Sequence, residues 1–207
     1  MTYRYSHNSN KRGFTLVEVM ASLAIFAVVS LAIGTLLIQS VRSNTVIWDS
    51  LQSQHDARRV LEQIVHDVRK AEPSSIGSYP IASASSTELI FFANIDTDSG
   101  KERIRFFLNG TTVQKGIIEP SGSPLGYAGT ELVTTLATNV LNISQELPLF
   151  SYYDSGYPVT STPLTAPVSP TDIRVVRMQI ALQKGMQMNV PPLFAESVVG
   201  LRNVKDN

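Results

Sequence analysis

Hydrophobic positions fall along this chain in three regimes. From Val19 to Ile38 there are 20 residues without a charge. About 20 helical residues cross a hydrocarbon core, so this run predicts a membrane-length helix. Ser22, Ser30, Gly34 and Thr35 interrupt the large side chains, and small residues let helices approach closely in lipid. From Gln39 the chain turns polar while a helical period persists. Ile47, Leu51, Leu61, Ile64, Val65 and Val68, flanked by Val60 and Ala71, recur at spacings dominated by three, four and seven. That is one apolar face on a helix. Asp56, Arg58, Arg59, Glu62, Asp67, Arg69 and Lys70 fall largely on the other faces. Pro73 ends the pattern, with Lys70 in the last turn, where the dipole favours a cation. Unbroken from Phe14 to Glu72, such a helix would be about 88 Å long. Gly34–Thr35 is its expected weak point, since glycine costs a helix about 1 kcal/mol.

The third regime, 73–207, has the period of strands. Ser74 to Thr87 is rich in Ser, Gly and Pro and reads as a loop. Strands are predicted at Glu88–Ile95, at Glu102–Leu108 with Ile104, Phe106 and Leu108 on one face, and near Thr112–Ile118. Glu131–Val140 fits either a helix or a strand. Leu141–Ser144 and Leu149–Tyr153 read as extended, Gly156–Pro170 as an exposed loop. Asp172–Lys184 reads as the clearest long strand and Phe194–Leu201 as a last extended segment. The expected fold class is α+β: a long N-terminal helix packed on a mostly antiparallel β-sheet head. The expected divisions are 1–13, 14–38, 39–72 and 73–207.

Composition narrows the classes. Lys plus Arg equals Asp plus Glu, 17 each, so no overall charge points to nucleic acid. The charge is unevenly placed, because residues 1–13 hold Arg4, Lys11 and Arg12 and no acid. Without them, 14 basic and 17 acidic residues remain, a net charge of −3. Absence of cysteine removes disulfides and thiolate metal sites, leaving core packing to hold the head.

The junction Lys11-Arg12-Gly13-Phe14-Thr15-Leu16-Val17-Glu18 joins a basic leader to the apolar run. In an ordinary secretory signal the cleavage site follows the apolar stretch. Here the small residue, Gly13, precedes it, so cutting there would leave the helix on the mature chain. This segment resembles the prepilin-type cleavage and methylation motif of type IV pilins and type II secretion pseudopilins. The resemblance implies cleavage by a prepilin peptidase between Gly13 and Phe14 and methylation of the new Phe14 amine. Gly13, Phe14 and Glu18 match the key positions; Thr15, Leu16 and Val17 are typical neighbours. The head carries a weaker resemblance. Phe150-Ser151-Tyr152-Tyr153-Asp154, a strand over Arg174–Leu182 and a closing Leu201-Arg202-Asn203 resemble minor pilins and J-type pseudopilins.

Glu18 is a carboxylate at the edge of a lipid-length helix. At a bilayer centre it would cost roughly 2.5–3.5 kcal/mol. Four residues from the new terminus it starts near the interface, where it costs less. In a filament core it would need a cation, and the Phe14 amine of a neighbouring subunit is the natural partner. The alternative is an interfacial acid that snorkels to water.

Three further features invite chemistry. Asp96-Thr97-Asp98-Ser99-Gly100-Lys101-Glu102 places carboxylates and a glycine as a calcium loop begins, with Asp96, Asp98 and Glu102 as the candidate ligands. A full loop would want another acid about twelve positions on, where Asn109 and Gly110 stand, and the same residues make ordinary turns. His55 and His66 are eleven residues apart on the helix, about 16 Å, too far to share a metal; His7 belongs to the leader. Lys101, Arg103 and Arg105 with Phe106 and Phe107 could hold a single strand of nucleic acid. Strand alternation instead puts both arginines on a solvated face and Ile104 and Phe106 in the core.

No catalytic residues are expected: nucleophile elbow, phosphate loop and zinc spacing are all missing from the sequence. No cofactor is expected. The expected function is a minor pilin or pseudopilin, anchored as a single pass in the inner membrane with its N-terminus cytoplasmic by the positive-inside rule and its head outside. The expected partners are other pilins, the prepilin peptidase, the assembly platform and membrane lipid, with nucleic acid not expected. A tip-binding subunit for adhesion or DNA uptake is the alternative reading. A single-pass sensor or enzyme unrelated to filaments is a third.

Overall fold

The computed structural model describes residues 13–96, 98–183 and 192–202. These fall into two compact units divided between Thr45 and Val46. A single helix, α1, is continuous from Leu16 to Arg69, without a break at Gly34–Thr35.

In the first unit, Leu16–Val41 forms a 26-residue span with mean hydropathy 2.5 and none of it buried. Phe14, Leu31 and Phe26 are 88%, 74% and 70% exposed. A helix that is apolar on all sides and uncovered needs an apolar surrounding. At 1.5 Å per residue the span is about 39 Å long, enough for a hydrocarbon core of about 30 Å.

Among the described residues, the second unit holds the rest of α1 and eight strands. Strands β1 (Ile81–Ala84), β2 (Glu88–Ala93), β3 (Glu102–Asn109), β4 (Thr112–Ile118) and β5 (Leu132–Ala137) form an antiparallel sheet in that order. Strands β6 (Phe150–Tyr153), β7 (Val175–Leu182) and β8 (Leu193–Gly200) form a second antiparallel sheet. Alternation explains which face each strand buries. On β3, Glu102, Ile104 and Phe106 are buried while Arg103, Arg105 and Phe107 are half-buried. Ala57, Val60, Leu61, Ile64, Val65 and Val68 of α1 share one core with Phe91, Ile104, Phe106, Phe150, Met178 and Ile180. The head therefore has the expected α+β architecture, built from two sheets rather than one. Tyr152 of β6 joins them, its hydroxyl 2.9 Å from the Ser85 carbonyl oxygen and 3.0 Å from that of Glu88.

Several details differ from the sequence reading. The helix stops at Arg69, short of Lys70 and Glu72. Lys70 and Ala71 donate backbone hydrogen bonds three residues back, and Glu72 N–H donates to Phe92 O at 2.9 Å. Pro73 disfavours the helical region for Glu72, so the chain leaves α1 early and ties itself to β2. Leu51 is 51% exposed, outside the helix face that packs on the head; the side chain of Ile47 lies outside the described ones. Glu131–Val140 resolves into a strand, β5. The segment Leu141–Ser144 is a turn rather than extended. Asn142, fully buried there, accepts from Ala181 N–H and donates to Gln179 O and Leu147 O, so its amide substitutes for ladder partners. The long strand begins at Val175 because Pro170–Asp172 forms a 3-10 turn; Lys184 and Asn203 lie outside the described residues.

Candidate functional site

Gly13 is exposed and non-helical, and nothing lies within 4 Å of where a Cβ would stand. Phe14 follows, also exposed and outside the helix. Among the described residues, nothing covers the backbone at Gly13 and Phe14. Residues 1–12, His7 among them, lie outside the described residues.

The next four residues form a reciprocal cap. Glu18 N–H donates to Thr15 Oγ1 at 3.3 Å, and Thr15 N–H donates to Glu18 Oε2 at 3.0 Å. The Thr15 hydroxyl lies 3.1 Å from the same oxygen. A Thr at the cap and a Glu three residues later satisfy two of the orphan donors at a helix start. The acid also lies in the first turn, where the dipole favours negative charge. Thr-x-x-Glu ahead of an apolar run is the sequence signal for this box, and the sequence reading passed over it. Ser22 Oγ donates to Glu18 O at 2.7 Å, so its hydroxyl is satisfied within the helix. Glu18 therefore has a local role in its own chain, through one carboxylate oxygen.

The second candidate lies between β2 and β3. One carboxylate oxygen from each of Asp96, Asp98 and Glu102 lies within 4.8 Å of the others. Backbone N–H groups set the geometry: Asp98 N–H donates to Asp96 Oδ1 (2.9 Å), Gly100 N–H to Asp98 Oδ1 (2.6 Å) and Ile95 N–H to Glu102 Oε2 (2.8 Å). Asn94 Nδ2 donates to Asp98 O at 2.7 Å. A Cβ at Gly100 would lie 3.0 Å from Asp98 Oδ1 and 3.2 Å from Pro120 Cγ, so the loop closes tightly there. Its base is held to the segment after α1: Lys101 N–H donates to Ser75 Oγ, and the Tyr127 hydroxyl donates to Lys101 O. Burial pushes the Glu102 carboxyl up, and the negative field of Asp96 and Asp98 adds to it against the Ile95 hydrogen bond. Glu119, just beyond β4, is raised first by burial and then by Glu102, Asp96 and Asp98. Glu119 is exposed and is not one of the three grouped carboxylates.

The basic candidates are placed differently from one another. Arg105 Nε donates to Glu131 Oε1 at 2.8 Å, its NH2 group pairs with Glu131 Oε2, and its NH1 group lies 3.3 Å from Glu88 Oε2. Its guanidinium lies 3.9 Å from the centroid of the Phe107 ring. Lys101 lies 3.6 Å from Glu72. Two of the three cations are thus already met by carboxylates, a poor start for holding phosphates. His55 and His66 are exposed, and His66 Nδ1 is 3.2 Å from Asp67 Oδ1.

A family model described as the prokaryotic N-terminal methylation motif matches residues 8–34. The chain thus carries a prepilin-type N-terminal motif, which indicates the type IV pilin and pseudopilin family. Such a motif supports processing by prepilin peptidase, assembly with other pilins and inner-membrane anchoring before filament assembly. The matched residues take in the Gly13–Phe14 bond, the Thr15–Glu18 cap and the apolar span as far as Gly34. No curated protein matches the chain.

Proposed function

We propose that this chain is a minor pilin or pseudopilin, a non-enzymatic structural subunit of a type IV pilus or type II secretion pseudopilus. The prepilin peptidase cuts between Gly13 and Phe14 and methylates the Phe14 amine. The subunit waits in the inner membrane as a single pass, with N-terminus cytoplasmic and head outside. The assembly platform then moves it into the filament. There Glu18 meets the Phe14 amine of a neighbouring subunit.

One observation carries this reading. The exposed Gly13–Phe14 bond directly precedes a capped helix whose 26-residue apolar span is wholly uncovered. Cutting at that bond keeps the apolar helix and gives it a new amine within one turn of a carboxylate. In lipid the span is solvated by acyl chains, and in a filament by copies of the same helix. Only one Glu18 oxygen serves the cap, leaving the other for a charge-assisted hydrogen bond from an ammonium group. Mass spectrometry of the chain from cells with an active peptidase tests this. N-methylated Phe14 as first residue is expected; an intact leader overturns the proposal.

The tip-binding alternative has weaker support. Its basic hairpin presents Arg105 already held by Glu88 and Glu131.

A further inference from the structure

The carboxylates between β2 and β3 are held in a way that their role in a turn does not explain. Asp96 and Asp98 accept backbone N–H groups as turn aspartates do. Glu102 is different. It sits on the inward face of β3 beside Ile104 and Phe106, with 0% of its surface exposed. One of its oxygens, Oε2, accepts from Ile95 N–H. The other, Oε1, is buried and has no hydrogen-bond partner among the described residues. Leaving a buried charged group unpaired costs several kcal/mol, so such an atom calls for a partner. The adjacent cation does not provide one, because Lys101 directs its ammonium to Glu72.

We propose that Asp96, Asp98 and Glu102 form a binding site for a calcium ion, with the buried Oε1 of Glu102 as its inner ligand. The donor set selects the metal class. Hard carboxylate oxygens with no imidazole or thiolate in the cluster suit calcium or magnesium rather than zinc or copper. Ligands from a turn and a strand end give an irregular oxygen cage. Calcium accepts such a cage, whereas magnesium demands a near-ideal octahedron. The site is also prearranged. Each carboxylate is fixed through one oxygen by a backbone N–H, and the loop base is fastened through Ser75 and Tyr127. Asp96 and Asp98 are exposed, which provides the entry path.

Thermal unfolding of the full chain in a mild detergent tests the site, with calcium chloride, magnesium chloride or a chelator as the added probe. Affinities of calcium modules outside cells lie at about 10⁻⁴–10⁻³ M, so ~5 mM calcium should come close to saturating the site. It is expected to raise Tm by roughly 3–6 °C over chelator. Magnesium should raise it less. In the Asp96→Asn/Asp98→Asn double variant the side-chain oxygens still accept from Asp98 N–H and Gly100 N–H, so the turn survives while two charges go. Its calcium response should fall below ~1 °C. Calorimetric titration of the parent chain with calcium should give one site. No calcium-induced rise in the parent overturns the proposal, as does an equal rise in the double variant. If Glu102→Gln instead raises the Tm of the chelated chain and the parent ignores calcium, Glu102 is a buried carboxyl held without a metal.

Discussion

Lys115 on β4 places its ammonium 2.8 Å from Asp67 Oδ2 on α1, and both side chains are about nine-tenths buried. It is the charged bolt between helix and sheet, and Lys115 also lies 5.8 Å from the Phe106 ring centroid. Removing one partner strands a charge in the core, whereas replacing both with apolar residues does not. Lys115→Ala should therefore lower unfolding free energy by about 3–5 kcal/mol, and Asp67→Leu with Lys115→Met should recover most of it. Denaturant titration followed by circular dichroism checks this. Additive losses in the double variant would show that the pair is not coupled.

Glu18 has two roles to separate, the cap in its own helix and the proposed pairing with a neighbour's amine. Glu18→Gln keeps an oxygen for Thr15 N–H but loses the charge. We expect normal cleavage and helix content, with the amount of subunit recovered in sheared filaments reduced at least ~10-fold, the effect of losing about 1.4 kcal/mol per contact. Filament recovery equal to the parent would leave Glu18 with the cap alone.

Glu131 reaches Arg105 across β4 at Gly116, where a Cβ would collide with the Glu131 carboxylate. Gly116→Ala should push Glu131 aside and cost about 1–2 kcal/mol. Arg105→Ala should cost about 1 kcal/mol and leave the affinity for single-stranded DNA unchanged, measured by fluorescence anisotropy. A drop in DNA affinity with Arg105→Ala would revive the nucleic-acid reading.

Tyr152→Phe removes the hydroxyl that serves the Ser85 and Glu88 carbonyls. The variant keeps the ring and loses one of the links between the sheets, while the Phe150 N–H to Ser86 carbonyl bond stays, so a loss of about 1–2 kcal/mol is expected. Faster amide hydrogen exchange should be concentrated in Ser85–Glu88 and β6. A uniform increase across the head would place the effect elsewhere.

Much of the fold was legible because it is local. The uncharged run, the helical period from Val60 to Val68 and the alternation Ile104–Phe106 each follow from neighbours in the chain. The Thr15–Glu18 cap was equally local and readable as Thr-x-x-Glu. The turn at Leu141–Ser144 was not, because its apolar residues look extended until Asn142 meets Ala181 and Gln179 from β7. The division of the strands into two sheets was hidden for the same reason.

The order of residues by itself determined the apolar span, the prepilin-type motif ahead of it and the inward positions of Ile104 and Phe106, since helical and strand periods act over a few residues. Tertiary structure decided which charges meet: Asp67 with Lys115, Arg105 with Glu88 and Glu131, and Lys101 with Glu72. Those meetings depend on strand register and on where the helix lies against the sheet. Contacts between residues tens of positions apart are selected by the packing of the whole core, not by any segment alone.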